Sequence, residues 1–257
     1  MKTIITQESV IDDIPVTFVY DHQYTNICKI IFFYHGLSNH YFEGLELAHS
    51  LAHKGFFVVM PDAKCHGRRK SLDYFHQGQL KVLGGMYQII GNAKQEFYTI
   101  SQHLKHKYQL DVNSVGVCGY SMGGITSFYL ASCLSEVSVC VPFIGLPSFV
   151  HEWETICKNQ VDKYGFIDSG YADYIKSYLL TIDPFYRLQD YCPKPLLIIN
   201  GTQDKSVSIK YSQIFFDHIK DFYQAHPDNL RFSKYDVDHR VTKEMIYEAT
   251  DFFEKYL

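Results

Sequence analysis

A serine with glycines two positions to either side, Gly119-Tyr120-Ser121-Met122-Gly123, stands between an apolar run, Ser114 to Cys118, and a stretch of helical character from Gly124. On a sharp turn between a strand and a helix, a serine adopts strained dihedrals and passes close to neighbouring backbone, which glycines at these offsets permit. Its hydroxyl then projects into the crevice at the strand ends. There the helix N-terminus and the Met122 N–H favour developing negative charge. The chemistry such a turn serves is nucleophilic attack on an acyl carbonyl.

An unassisted serine hydroxyl is a poor nucleophile at neutral pH, so a histidine base and an orienting carboxylate must accompany it. The chain order for this arrangement, serine then acid then histidine, leaves four of the thirteen histidines: His151, His218, His226 and His239. His239, in Tyr235-Asp-Val-Asp-His-Arg240, follows the last strand-like run and precedes the last helical one, where a loop reaches back to the crevice. His218 lies inside a helical pattern, and His226 lies in a His-Pro-Asp-Asn turn at the wrong end of a strand. The acid is expected in the loop after the preceding strand, and Asp204 stands there, directly behind Leu196 to Ile199. Its competing use is as a turn or helix N-cap ahead of Val207. Asp183, Asp236 and Asp238 are rivals, although Asp238 adjoins His239 and aligns poorly with its ring.

Oxyanion stabilisation needs two donors. Met122 N–H is one, and His35-Gly36-Leu37-Ser38, after the run Ile30 to Tyr34, offers Leu37 N–H as the other. His35, Asp62, His66 and Arg68 are candidates for the crevice rim and for substrate contact. The physical reading of Pro61 to Arg68 is a charge-paired loop in which Asp62 and Arg68 brace Gly67, and His35 is read as bonding locally.

The elements that must hold these residues follow from the pattern of apolar runs. Thr3 to Ser9 and Ile14 to Tyr20 read as two strands. Ile30 to Tyr34, Phe56 to Met60, Val115 to Cys118, Val137 to Val141, Leu196 to Ile199 and Leu230 to Tyr235 are short, and most are apolar on both faces, as strands inside a covered sheet are. Helical periods fill the gaps at Phe42 to Lys54, Met86 to Lys107, Gly124 to Ser135, Val207 to Tyr223 and Val241 to Tyr256, with Gly84-Gly85 just ahead of the second. Alternation of this kind demands crossovers and a mostly parallel sheet of about eight strands covered on both faces, so the class is α/β. Residues 147–183 break the rhythm and read as a small cap of short helices inserted over the carboxyl edge of the sheet. Its aromatics, Trp153, Tyr164 and Tyr171, either wall the pocket or pack on the sheet. No repeat or linker divides residues 1–257, so one domain is expected.

Composition excludes several function classes. With 24 Lys and Arg against 28 Asp and Glu, the formal net charge is −4, and the basic excess that nucleic-acid binding needs is missing. No apolar run approaches the roughly 20 residues of a membrane span, and the first residues carry no secretory pattern. Seven scattered cysteines with no C-x-x-C pair suggest reduced thiols and no zinc site, hence a cytoplasmic setting. Phosphate-cradling glycine loops are missing too, so neither a metal nor a nucleotide cofactor is expected. An exposed cap offers a face for a homodimer. Aromatics make up 16% of the chain and are spread along it, which favours packing over a dedicated stacking site.

His35-Gly36, the turn from Gly119 to Gly123, Asp204 and His239 occur in the order and spacing of the α/β-hydrolase family, which the chain resembles over essentially its whole length. More closely it resembles small bacterial serine esterases related to dienelactone hydrolases and prolyl-oligopeptidase catalytic domains. Pro61-Asp-Ala-Lys-Cys-His-Gly-Arg68 looks like the D-A-x-x-H-G-x-R loop of one esterase subgroup. The resemblance implies a carboxylesterase acting on short acyl esters without cofactor. Dienelactone hydrolases proper use a cysteine where Ser121 stands, so their ring-opening activity is not implied. Thioesterase and peptidase activities are alternatives on the same residues, although peptidase relatives usually carry a propeller that 257 residues would not accommodate. A silent hydrolase-fold binding protein is the non-enzymatic alternative.

Overall fold

The computed structural model describes residues 2–25 and 27–257. Eight strands form one sheet: β1 (Ile4–Ile11), β2 (Ile14–Asp21), β3 (Ile30–Tyr34), β4 (Phe57–Pro61), β5 (Val115–Tyr120), β6 (Val137–Phe143), β7 (Leu196–Gly201) and β8 (Leu230–Tyr235). Their order is β1-β2-β4-β3-β5-β6-β7-β8. The first two form an antiparallel hairpin, and β2 runs antiparallel to β4. From β4 onward every pairing is parallel. The runs that are apolar on both faces, β3, β4, β5 and β7, are buried at every residue, whereas the edge strand β1 alternates and no residue of the edge strand β8 is fully buried. A strand with both faces covered has no water-facing side to keep polar.

The helices are α1 (Leu45–Lys54), α2 (Leu72–Phe75), α3 (Gln79–His103), α4 (Met122–Cys133), α5 (Phe149–Tyr164), α6 (Ser169–Ile182), α7 (Ile209–Ile219) and α8 (Lys243–Tyr256). Two apolar cores lie on opposite faces of the sheet. One joins Phe32, Val59, Val117 and Ile198 to α3, α4 and α7, and the other joins Phe33, Val58, Cys118 and Ile199 to α1 and α8. Successive residues of one strand feed different cores, the period-two consequence of the pleat.

Two sequence readings change. The long helix begins at Gln79, seven residues before Met86, so Gly84 and Gly85 lie inside it and not ahead of it. A β-carbon at Gly84 would meet the Tyr171 ring and one at Gly85 the Tyr74 ring, so packing of two tyrosines places these glycines, and no turn is involved. Between β6 and β7 the chain forms α5 and α6, helices of 16 and 14 residues rather than a run of short pieces. Their partner is α3, whose Tyr87 packs across the Trp153 ring, while Trp153 Nε1 donates to Ala172 O and ties α5 to α6. Among the described residues no helix is long and apolar enough to cross a membrane.

The chain runs from β3 outward to β4, then returns to lay β5 on the other side of β3. At such a reversal the loops beyond the carboxyl ends of neighbouring strands diverge and leave a crevice. The β3 loop carries Leu37 and the β5 turn carries Ser121.

Candidate active site

Ser121 occupies the turn between β5 and α4 with φ 54° and ψ −113°, a conformation that L-residues rarely hold. Backbone bonds on both sides fix it: Ser121 N–H donates to Phe143 O at 3.0 Å, and Ile125 N–H donates to Ser121 O at 2.9 Å. The flanking glycines are required by proximity. A β-carbon on Gly123 would sit 1.8 Å from Tyr34 O, and one on Gly119 would sit 2.6 Å from the Gly123 carbonyl carbon. The elbow is thus wedged against the end of β3, which brings Ser121 beside the loop that begins at His35.

His239 lies on the loop after β8. Its Nε2 is 2.9 Å from Ser121 Oγ and its Nδ1 is 2.7 Å from Asp204 Oδ2. A carboxylate only accepts, so Nδ1 carries the proton and donates, and the Nε2 lone pair faces the serine hydroxyl. Asp204 is fully buried at its side chain, and its two oxygens do different work. Oδ1 accepts the N–H groups of Ser206 and Val207 at 2.8 and 2.9 Å, which is the turn role foreseen as the competing use, while Oδ2 takes the imidazole. Neither role displaces the other. The two loops are stapled by Thr202 N–H to Tyr235 O, Gln203 N–H to Val237 O, and Asp236, whose Oδ1 accepts from the Thr202 hydroxyl and the Gln203 amide.

The rival residues have other occupations. Asp183 is buried under the cap, where it accepts from Val150 N–H and Phe185 N–H, and Asp238 pairs with Arg240 in solvent. His151 meets Ser148 in a separate depression, His218 donates to Ile214 O on α7, and His226 precedes a turn before β8.

Leu37 and Met122 border the same cavity as Ser121 and His239. Met122 is the first residue of α4, where helix geometry provides no partner for its N–H. The loop around Leu37 is held by a group that sequence reading did not single out. Glu43 accepts from Gly36 N–H through Oε1 and from the Asn39 side-chain amide through Oε2. Burial pushes its carboxyl up to about 7, against which these two donors act. No signal in the sequence distinguishes Glu43 from a solvated turn residue.

His35, Asp62, His66 and Arg68 do not border the Ser121 cavity, which corrects the expectation of substrate contact. His35 is buried, donates from Nδ1 to Gly36 O and accepts Ala63 N–H at Nε2; burial lowers its pKa to about 4, so it is a neutral link between two loops. Asp62 is buried beneath Gly67, whose φ is 50° and whose missing β-carbon makes room for the carboxylate. Arg68 donates to Asp62 Oδ2 from its backbone N and from Nε, then reaches toward Thr17 and Glu8, away from Ser121, because the buried Asp62 is its strongest available partner. His66 is buried, donates to Lys64 O, and also sits outside the cavity. The brace foreseen for Asp62, Gly67 and Arg68 is present.

The cavity holds about 850 Å³. Its cap-side wall comes from Glu152, Ile156 and Asn159 of α5. The cap aromatics do not contribute: Trp153 is buried in packing, the Tyr171 hydroxyl reaches Lys81 O, and Tyr164 is exposed.

Residues 25–141 match the family model described as serine aminopeptidase, S33. "Putative esterase YitV" of Bacillus subtilis is 25% identical over 232 residues, which span 89% of this chain and 89% of that protein. "Esterase YjfP" of Escherichia coli is 25% identical over 248 residues, 95% and 96% of the two chains. Among solved structures, TT1662 from Thermus thermophilus superposes with a TM-score of 0.74 at 18% identity, covering 98% of both chains.

Proposed function

This chain is a serine hydrolase of the α/β-hydrolase superfamily, and we propose that it is a carboxylesterase that hydrolyses small acyl esters through Ser121, His239 and Asp204. The unbroken hydrogen-bond chain from Ser121 Oγ through the imidazole to Asp204 Oδ2 carries the reading. In it, Ser121 Oγ attacks the acyl carbonyl as its proton passes to His239 Nε2. Asp204 holds the imidazole in the required tautomer and stabilises the imidazolium that forms. The carbonyl oxygen, now negative, lies between the N–H groups of Leu37 and Met122, fixed donors that need no reorganisation as charge develops. His239 then gives its proton to the leaving alkoxide, which departs as the alcohol. A water molecule deacylates the enzyme by the same route in reverse order.

Apolar Leu83, Met86, Ile125 and Leu146 offer a short acyl chain an apolar surface within the cavity, whose volume admits a small ester. Seven unpaired cysteines support a reducing, cytoplasmic setting. The test is turnover of p-nitrophenyl acetate, butyrate and octanoate by wild type and Ser121→Ala, with fluorophosphonate labelling. The expected result is labelling of the wild type at Ser121, falling rates with chain length, and a loss of about 10⁶-fold in kcat in the variant. Retained activity in purified Ser121→Ala defeats the reading, and a matched acyl-CoA turned over faster than its oxoester replaces it with a thioesterase.

A further inference from the structure

A groove of about 660 Å³ runs between α5 and α7, and no residue lines both it and the Ser121 cavity. Two faces of α5 are involved: Ile156 and Asn159 border the catalytic cavity, and His151, Thr155 and Lys158 border the groove. The two helices run antiparallel along it. Thr155 Oγ1 meets the Tyr211 hydroxyl at 2.8 Å near the start of α7. His151, a turn earlier on α5, and His218, near the end of α7, both pack edge-on against Phe185 with ring centroids 5.5 Å from it. Lys158, a turn past Thr155, and Lys210, next to Tyr211, therefore stand at one end of the groove, and Phe185 stands at the other. The stretch of α7 from Lys210 to His218 makes the groove about 12 Å long.

Between the two ends the surface is apolar and open: Ile214 is 45% exposed and Phe185 is half-buried. The charges do not cancel. Glu154 is the one carboxylate that lines the groove, and Lys176 holds it at 2.7 Å. Neither Lys158 nor Lys210 forms an ion pair among the described residues; Lys210 lies over the Tyr211 ring at 4.8 Å and acts on Glu152 from beyond ion-pair distance. In a chain of net charge −4, two ammonium groups at the head of an apolar groove attract an anion, and the surface beyond them favours an anion that carries an apolar chain. A cationic head is repelled there, and a small anion leaves Ile214 and Phe185 uncovered. We infer that the groove between α5 and α7 is a binding site for an amphipathic anion of the fatty-acid kind, with its acidic head at Lys158 and Lys210 and its chain laid along Ile214 toward Phe185. The site is separate from Ser121 and does not depend on which bond Ser121 cleaves.

The experiment is calorimetric titration of octanoate into the protein after Ser121 has been blocked with a small fluorophosphonate, so that the catalytic cavity does not contribute. Octanoate is expected to bind at a single site. Acetate, which lacks the chain, should bind at least about 30-fold more weakly, and octylammonium, which reverses the charge, at least about tenfold more weakly. Lys158→Glu and Ile214→Asp change exposed positions outside the Ser121 cavity. Each should weaken octanoate about tenfold, with melting temperature and turnover of p-nitrophenyl acetate as in wild type. Equal affinity for octanoate and octylammonium overturns the inference, as does octanoate binding that both variants leave unchanged. Binding that disappears when Ser121 is blocked belongs to the catalytic cavity and overturns it as well. Where Ser121 takes no label the esterase reading falls, and the two variants still locate the octanoate site. Absence of octanoate binding overturns the inference, and a dimer in sedimentation that Ile214→Asp dissociates would then assign the groove to a second copy of the chain.

Discussion

Replacing Asp204 with asparagine separates the two jobs of that side chain. Oδ1 receives two backbone N–H groups, from Ser206 and Val207, and Oδ2 receives the His239 Nδ1 proton. An asparagine has one oxygen to place. Set on the turn, it keeps two bonds worth about 1 kcal/mol each; set toward His239, it would turn its NH₂ group against two donors and leave them buried and unpaired. The turn therefore takes the oxygen, and the amide nitrogen faces His239 Nδ1. That ring nitrogen must then accept, so Nε2 becomes protonated and points a hydrogen at Ser121 where a lone pair is needed.

Asp204→Asn is accordingly expected to lower kcat/KM on p-nitrophenyl acetate by about 10⁴-fold at neutral pH, the scale seen when the orienting carboxylate of such a triad becomes an amide. That is about 5.4 kcal/mol of transition-state stabilisation. Urea unfolding should move by less than about 1 kcal/mol, because the turn survives. Asp204→Ala loses the turn bonds as well, so it adds about 2 kcal/mol of destabilisation to a similar kinetic loss. The contrast between the two variants is the diagnostic part. An asparagine variant retaining more than a hundredth of wild-type activity would refute the assignment of Asp204. One destabilised as much as the alanine variant would refute the division of labour between its oxygens.

Gly123→Ala should be close to a null variant, since its β-carbon would meet the Tyr34 and His35 carbonyl oxygens at 1.8 and 3.0 Å and backbone cannot rotate away; a loss of about 3 kcal/mol or more by urea titration is expected, with little turnover, and a soluble variant of wild-type stability would refute the elbow packing. Glu43→Gln tests the buried carboxyl at the Leu37 loop. With the Glu43 pKa raised by burial from its ordinary 4.5 to about 7, the folded chain binds this proton more tightly than the unfolded one, so its contribution to stability is full below 4.5 and is lost as pH rises to 7. Glutamine keeps an acceptor for Gly36 N–H and does not titrate, so the stability of the variant relative to wild type should climb across that window, by no more than about 1.4 kcal/mol per pH unit, then level off. A flat difference in urea unfolding from pH 4.5 to 8 would exclude it.

Most of the sheet was legible because buried parallel strands must be apolar on both faces, and few other segments of a chain are. Boundaries were less so. The helix start was missed at Gln79 because two glycines argued against a helix there, and only the packed rings of Tyr74 and Tyr171 reveal why they are tolerated. The Ser121, Asp204 and His239 candidates were readable because each stands in a loop after a recognisable strand, and chain order fixes which loops meet. The rim residues misled for a related reason. Asp62, His66 and Arg68 stand beyond β4, so a crevice position was the natural expectation. The direction an arginine takes depends on its nearest carboxylate, and Asp62, hidden beneath Gly67, is visible only in three dimensions.

Glu43 and Glu152 were illegible for a deeper reason. A single glutamate in a turn or on a helix is in most chains a solvated charge, and nothing in the letters around these two says otherwise. Burial changes their meaning and also sets them apart from one another. Glu43 offsets its desolvation by holding Gly36 N–H and the Asn39 amide, so its cost is met inside the protein by the loop that carries the Leu37 donor. Glu152 holds no backbone group; Lys210 and a hydrogen bond with Tyr211, both on α7, act against its desolvation. Identical side chains, both raised by burial to about 7, thus divide into one held by the loop that carries an oxyanion donor and one held by side chains of a neighbouring helix. Structural need accounts for the first. The second ties the cap helix α5 to α7 through Lys210 and Tyr211, a link that its position in the sequence does not show.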